Sequence, residues 1–172
     1  QRLFAEVVKL YYSGNAKCAN QMLIDTEVIH ILMPELRSMK QNNQAFALWD
    51  TMATSADKRF KSGRRLSIVY LFACLYWPIF IAKMAKKRLR NFSSKVATEV
   101  LMQAIYEIPV RTREDVLEIW QNQYQFKGRD KSVNRLKKSK RLRASYELLC
   151  QRAMVDPSLS DLALYWSEHI NG

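Results

Sequence analysis

Apolar residues recur along most of the chain three and four positions apart, the spacing that puts side chains on one face of an α-helix. No alternating pattern joined by an Asn-Gly or Asp-Gly hairpin turn appears. Helices are predicted on residues 3–10, 16–25, 27–33, 46–60, 96–108, 116–126, 142–153 and 157–166. The sequence therefore predicts an all-α fold: a compact multi-helix body, a basic connector and C-terminal helices.

Turn and capping residues predict where these helices begin and end. Ends are expected at Gly14, Gly63, Pro109 and Gly128. Thr26 is predicted to cap the third helix, and Thr112 with Asp115 resembles a capping box for the helix that follows them. Asp156 and Pro157 are predicted to be an N-cap and a first helical residue, a position where proline fits.

Residues 68–82 are fifteen consecutive uncharged and mostly apolar residues. A membrane-spanning helix needs about 20 such residues, and Pro78 lies inside this stretch. A helix that is apolar on all sides is otherwise typical of the centre of a helical protein. We therefore favour a central core helix over a membrane segment.

The length of 172 residues allows one domain with a substantial core or two small lobes that share an interface. A helical body is predicted on residues 1–108 and a helical leg on residues 109–172, and one continuous domain is the alternative. Cys18, Cys74 and Cys150 form no CxxC pair, and both histidines are isolated. These features predict reduced cysteines in a cytoplasmic protein, with no disulfide and no metal site.

The distribution of charge along the sequence narrows the classes of molecule that the chain is expected to bind. The formal net charge is +12, of which residues 127–143 carry +8 and residues 83–90 carry +5, so the remainder nets −1. Such concentration favours phosphate backbones or acidic lipid over a general effect on solubility.

The larger segment follows a helix that carries Trp120 and Tyr124, and cations beside aromatic rings suit single-stranded nucleic acid. Trp120 is expected to pack inside, which leaves Tyr124 as the candidate for base stacking. A solvated and partly mobile connector is the alternative. Residues 83–90 either extend the same groove or only solubilise a helix end. The predicted RNA contacts are Lys127, Arg129, Lys131, Arg135, Lys137, Lys138, Lys140, Arg141, Arg143, Tyr124, Lys86 and Lys87.

No catalytic residue is predicted. The four glycines are never adjacent, which excludes a P-loop and a GxGxxG motif, and there is no Asp-x-Asp. Asp25 and Glu27 are interpreted as capping and helix-dipole residues. Glu114 and Glu118 stand one turn apart and are expected on a solvated face.

Three ordered blocks span nearly the whole chain. They are RLFAEVVKL at residues 2–10 with Gly14, LFACLYWP at residues 71–78, and a third block made of IPVR at 108–111, IWQ at 119–121, RASYELL at 143–149 and Arg152-Ala153. Together they resemble the C-terminal region of bacterial poly(A) polymerase, of the tRNA nucleotidyltransferase/poly(A) polymerase family.

The resemblance implies a helical body and leg downstream of a catalytic head that uses ATP and Mg²⁺ to add adenylates to RNA 3′ ends. The head's Gly-Gly motif and paired aspartates do not occur in this sequence, so neither cofactor is expected here and the fragment alone is expected to be inactive. The implied partners are single-stranded RNA 3′ ends and the parent's own head and neck, with no membrane. The first residues begin inside an amphipathic pattern without an initiating Met, which favours a fragment of a longer protein.

Two alternatives stay open. A CCA-adding enzyme acting on tRNA belongs to the same family, although strong basicity favours an enzyme that does not read one tRNA shape. A stand-alone helical adaptor for acidic proteins or an anionic membrane surface is the other.

Overall fold

The computed structural model describes residues 2–38 and 42–170, and within these ranges the fold is all-α, as predicted. The α-helices are α1 (Arg2–Tyr11), α2 (Ala16–Asp25), α3 (Ile29–Leu32), α4 (Asn42–Lys61), α5 (Ile68–Lys86), α6 (Ser94–Met102), α7 (Val110–Phe126), α8 (Val133–Leu136), α9 (Leu142–Val155) and α10 (Ser160–Ile170). Short 3₁₀ turns cover Pro34–Ser38, Arg129–Ser132 and Pro157–Leu159.

Helix α5 lies at the centre of the body. It packs against α4, α6, α7 and α9, and eleven of its side chains are buried. It is long and apolar enough to cross a membrane by length and composition, but most of the residues in that stretch are buried inside the protein. Burial on all sides explains why residues 68–82 have no polar face, as expected of a core helix.

Pro78 interrupts the hydrogen-bond ladder of α5 at the carbonyl of Cys74, and the indole of Trp49 supplies a donor there. Proline has no N–H, so the carbonyl of Cys74 lacks its helical donor. The indole of Trp49 in α4 donates to this carbonyl at 3.3 Å and to the next one at 3.1 Å. The indole of Trp120 in α7 donates to the carbonyl of Ala73 at 3.0 Å. These bonds tie α4 and α7 to one short stretch of α5.

A second, smaller apolar cluster joins the end of α7 to α9 and α10. Its buried members are Phe126, Leu136, Leu149, Leu162 and Trp166. The indole of Trp166 donates to the carbonyl of Phe126 at 2.9 Å. Helices α7 and α9 contribute side chains to both clusters, and the proposed division between residues 108 and 109 stays a prediction.

The predicted start of α7 is wrong. The helix begins at Val110, directly after Pro109, so Thr112 and Asp115 lie inside it instead of capping it. Proline in an extended conformation leads into this helix at its N-cap, and the carboxylate of Asp115 binds Arg141 instead. The preceding helix, α6, ends at Met102, earlier than predicted.

The predicted role of Thr26 is also wrong. Thr26 is the C-cap of α2, and its hydroxyl donates to the carbonyl of Met22 at 2.6 Å. Threonine hydroxyls often bond to the carbonyl four residues earlier, and this local bond competes with the N-cap role. Asp156 is an N-cap as predicted, because its carboxylate accepts from the backbone N–H of Ser158, but it caps the 3₁₀ turn Pro157–Leu159, and α10 begins after that turn at Ser160.

Candidate nucleic-acid interface

The two basic segments meet at an open pocket of about 500 Å³ beside α7. The turn after α5 contributes Arg90, Asn91 and Phe92. Helix α7 contributes Gln121, Tyr124 and Gln125, and Lys127 and Arg135 complete the lining. We call this the Tyr124 pocket. It combines cations, aromatic rings and side-chain amides, the groups that bind phosphates, stack on bases and read base edges.

A C-terminal cap of α5 turns the chain toward this pocket. Arg88 adopts a left-handed φ of 56°, and the N–H of Leu89 donates to the carbonyl of Met84 at 3.0 Å. This is the bond of a Schellman cap, which ends a helix sharply. The hydroxyl of Ser93 then accepts from the N–H of Val96 and starts α6. The residues between the two caps are thereby held beside α7.

The aromatic wall of the pocket is anchored in the core. Tyr124 and Phe92 meet edge to face with centroids 5.8 Å apart, and both contact Phe80. Burial raises the pKa of the half-buried Tyr124 phenol, which keeps it protonated. The ammonium of Lys127 lies 5.2 Å from the Tyr124 ring centroid. Trp120 is fully buried, as expected.

Three cations around the pocket have no acidic partner among the described residues. Arg90, Lys127 and Arg135 are exposed, and no described carboxylate lies within ion-pair distance of them. Charges that no internal partner neutralises are available to phosphate groups. The same holds for the other exposed predicted contacts, Lys131, Lys137, Lys138, Lys140 and Arg143.

Four predicted contact residues are placed differently. Arg141 is paired with Asp115 at 2.5 Å, and Lys87 lies 3.7 Å from Glu99. Arg129 has a left-handed φ of 49° and its guanidinium lies over the Tyr165 ring at 5.3 Å. Lys86 lines a separate and mainly apolar pocket of about 950 Å³ along α5. These four are therefore less available to the Tyr124 pocket than the three unpaired cations.

A polar network between α7 and α9 fixes the turn that carries several of the lysines. The amide of Asn122 donates to the hydroxyls of Ser139 and Ser145 at 2.9 and 3.0 Å. Ser139 donates to Glu118 at 2.6 Å, and Gln123 donates to the carbonyl of Ser145 at 3.0 Å. Glu118 therefore holds a turn instead of lying on a solvated face, and the network ties this turn to α7 and α9.

Arg152 extends this network toward the core. Its guanidinium donates to the Gln123 amide oxygen at 2.9 Å and lies over the Trp77 ring at 4.6 Å. Burial lowers the pKa of Arg152 to about 10, while Tyr124 and Asp156 act in the opposite direction. The side chain stays charged at neutral pH, and its role is to join α9 to α5 and α7.

Sequence reasoning missed part of the positive surface. Lys58, Lys61, Arg64 and Arg65 are exposed around the end of α4, and Arg59 beside them binds Glu147 of α9 at 2.6 Å. The count of net charge did not reveal these cations, because acidic residues elsewhere in the chain offset their charge. The side-chain amides that line the Tyr124 pocket are uncharged, so the charge pattern of the sequence could not predict their role. They come together only because the turn between α5 and α6 packs near α7.

The described ranges contain no group of three or more His, Cys, Asp or Glu side chains that could hold a metal ion. The fold and the Tyr124 pocket thus define an all-α protein with a cationic and aromatic surface.

Comparison with known protein families supports the resemblance in the C-terminal part of the chain. Residues 87–171 match the family model described as the polymerase A arginine-rich C-terminus. Residues 87–171 are therefore similar to the arginine-rich C-terminal region of poly(A) polymerase, which confirms the resemblance for that part of the chain. No curated protein matches the chain. Every residue of the Tyr124 pocket lies within the matched range.

Proposed function

We propose that this chain is the RNA-holding C-terminal portion of a template-independent poly(A) polymerase. The observation that carries the proposal is the meeting of both basic segments at the Tyr124 pocket, within the residues that match the family. Its unpaired cations, Arg90, Lys127 and Arg135, suit neighbouring phosphates of a single strand, and two aromatic rings lie beside them. This combination is typical of surfaces that bind single-stranded nucleic acid.

In this proposal the chain binds RNA and performs no transfer itself. The parent enzyme is a cytoplasmic nucleotidyltransferase whose catalytic head, with ATP and Mg²⁺, adds AMP to RNA 3′ ends. Holding the strand near the head raises the effective concentration of the 3′ end at the active site. The basic surface therefore contributes to affinity and processivity, while the chemistry belongs to the head.

Salt dependence of RNA binding tests the proposal. Affinity for a labelled single-stranded 20-mer, followed by fluorescence anisotropy, should fall with rising salt by about 0.7 log units per log unit of salt for each neutralised phosphate. Combining Arg90→Ala, Lys127→Ala and Arg135→Ala should reduce the slope by about 2 if each contacts one phosphate. Changing Lys137 and Lys138 to Ala should reduce it by about 1.4.

A matched control removes the same charge elsewhere. Lys9→Ala, Lys17→Ala and Arg37→Ala change exposed cations outside the two basic segments and should leave the slope nearly unchanged. Equal effects of the two triple variants would show that only net charge matters. Absence of RNA binding at low salt contradicts the proposal. For the full-length protein, A tails on generic RNA favour it over CCA addition to tRNA.

A further inference from the structure

A mainly apolar groove of about 950 Å³ runs along the second half of α5. Helix α5 forms its floor, the start of α4 forms one wall, and the end of α9 with the 3₁₀ turn after it forms the other. We propose that this α5 groove binds an amphipathic helix of a partner protein, with apolar side chains in the groove and acidic residues beside the C-terminal end of α5. The inference concerns a surface that the proposed function does not use.

The floor of the groove is apolar although solvent reaches it. Helices α4, α6, α7 and α9 cover the rest of α5. Along the groove, Ile81 and Ala85 are exposed, and Pro78 and Ala82 are half-buried. These four positions follow the i, i+3, i+4, i+7 spacing of one helix face. A helix face that meets solvent normally carries polar residues, so an apolar one indicates a surface that another protein chain covers.

The length and the walls of the groove suit a helix. Residues 78–86 of the floor span about 12 Å, which matches two turns of a second helix lying alongside. Leu48 on one wall and the half-buried Val155 and Leu159 on the other add apolar side chains on both sides. A helix with apolar anchors at i, i+3 or i+4, and i+7 therefore contacts the floor and both walls, which is how amphipathic helices bind in grooves.

The charged groups at the ends of the groove define the charge of the partner. Lys83 and Lys86 lie in the last turn of α5, and no described carboxylate lies within ion-pair distance of either. The ammonium of Lys83 donates to the uncharged side chain of Gln103 at 2.5 Å. On the α9 side, the lining includes the exposed Asp156. Acidic residues near the two lysines therefore complement the groove and fix the direction of the bound helix, because charges at the rim contribute mainly to specificity.

Binding of a designed peptide tests the groove. The probe is a fluorescein-labelled helical peptide with leucines at i, i+3, i+4 and i+7 and two glutamates in its first turn, where acidic residues also stabilise the peptide helix. It should bind the chain in an anisotropy titration to millimolar peptide. Ala85→Glu places a carboxylate on the floor of the groove and should weaken binding by about tenfold or more. Ala85 is exposed, so the fold should persist, and a thermal melt checks it.

Two controls separate the apolar contact from general effects of charge. Leu164→Glu adds the same charge at an exposed apolar residue of α10 outside the groove and should leave the affinity nearly unchanged. A peptide of the same composition, with its leucines spread over all faces of the helix, should not bind.

A charge exchange tests the direction of the partner helix. Lys86→Glu should weaken binding of the glutamate peptide about fivefold, and a peptide with lysines in place of the glutamates should bind this variant more tightly than it binds wild type. Lys61→Glu changes an exposed lysine in the last turn of α4, outside the groove, and should give neither effect.

The outcomes decide between the occupants of the groove. No binding of the designed peptide, equal binding of the peptide with spread leucines, or equal losses for Ala85→Glu and Leu164→Glu overturns the proposal. A concentration-dependent dimer in sedimentation that Ala85→Glu abolishes assigns the groove to a second copy of the chain. Peptide binding that the full-length protein lacks assigns it to other residues of the same protein. Either of these two results overturns a separate partner, and none of them bears on RNA holding.

Discussion

Gly14 is restricted by its backbone conformation and by a neighbouring ring. Its φ is 83°, a left-handed value that costs most residues about 1–2 kcal/mol. A Cβ at this position would lie 2.6 Å from the Phe60 ring. Gly63 also has a left-handed φ of 74°, but nothing lies within 4 Å of its Cβ direction. Comparing substitutions at the two glycines therefore separates the energetic cost of the left-handed backbone from the cost of crowding against Phe60.

We expect Gly14→Ala to reduce the free energy of unfolding by about 2–4 kcal/mol, because strain and overpacking add. Gly63→Ala should reduce it by only about 1–2 kcal/mol, because strain acts alone. Urea unfolding followed by circular dichroism measures both. Equal losses for the two variants would show that Phe60 moves aside without resistance.

At the scale of elements, the contact between α7 and α9 depends on hydrogen bonds as well as on apolar packing. Ser145 is fully buried, accepts from Asn122 and donates to the carbonyl of Arg141 at 2.7 Å. A buried donor left without one of its partners destabilises a fold by about 1–3 kcal/mol. The same network positions the turn that carries Lys137, so stability and the geometry of the basic surface are coupled.

Ser145→Ala should therefore reduce the free energy of unfolding by about 1–2 kcal/mol and loosen the turn between α8 and α9. Limited trypsin digestion should cut faster after Lys137, Lys138 or Lys140 than in wild type. Thr54→Ala, which removes an exposed hydroxyl that donates to the carbonyl of Asp50 inside α4, serves as the control and should change stability by less than about 0.5 kcal/mol. An unchanged digestion rate of the Ser145 variant would show that the hydrogen-bond network does not hold the turn in place.

The elements also show what sequence could predict. Helices α4 and α5 could be predicted from the sequence. A helix buried on one face has apolar residues at helical spacing, and a helix buried on all faces has a continuous apolar run. The start of α7 was mispredicted because Pro109 at the N-cap and a capping-box pattern three residues later are both valid local signals. The cations of residues 127–143 could be recognised in the sequence as a candidate binding segment. The position of Arg90 beside α7 could not, because it depends on how α5 packs against α7.

At the scale of the whole molecule, buried acidic groups make stability depend on alkaline pH. Burial raises the pKa of Cys74 to about 12 and that of Tyr106 to about 12, and the hydroxyl of Tyr106 bonds to that of Tyr76 at 2.8 Å. The unfolded chain releases these protons at the ordinary values of 9.0 and 10.0. The folded chain keeps both protons up to a higher pH than the unfolded chain does.

Stability should therefore be complete below pH ~9 and fall as pH rises toward 12, by about 1.4 kcal/mol per pH unit for each such group. Arg152 opposes part of the loss above pH ~10, because its lowered pKa means that the folded chain releases this proton first. Urea unfolding at pH 8, 10 and 11 measures the trend. Tyr106→Phe removes one titrating group and should give a shallower decline; a flat profile for wild type would contradict the burial of these groups.

The arrangement at Pro78 has a consequence for synthesis of the chain. Translation completes α5 before α7 and α9 exist, so the carbonyl of Ala73 and the apolar flank of α5 stay uncovered while the next helices are made. Incompletely covered apolar surface of this kind is prone to aggregation. A nascent chain that stops before Trp120 would leave its most apolar helix without one of its tryptophan donors. Dependence on chaperones should therefore be greatest during this interval of translation and decline once α9 has emerged.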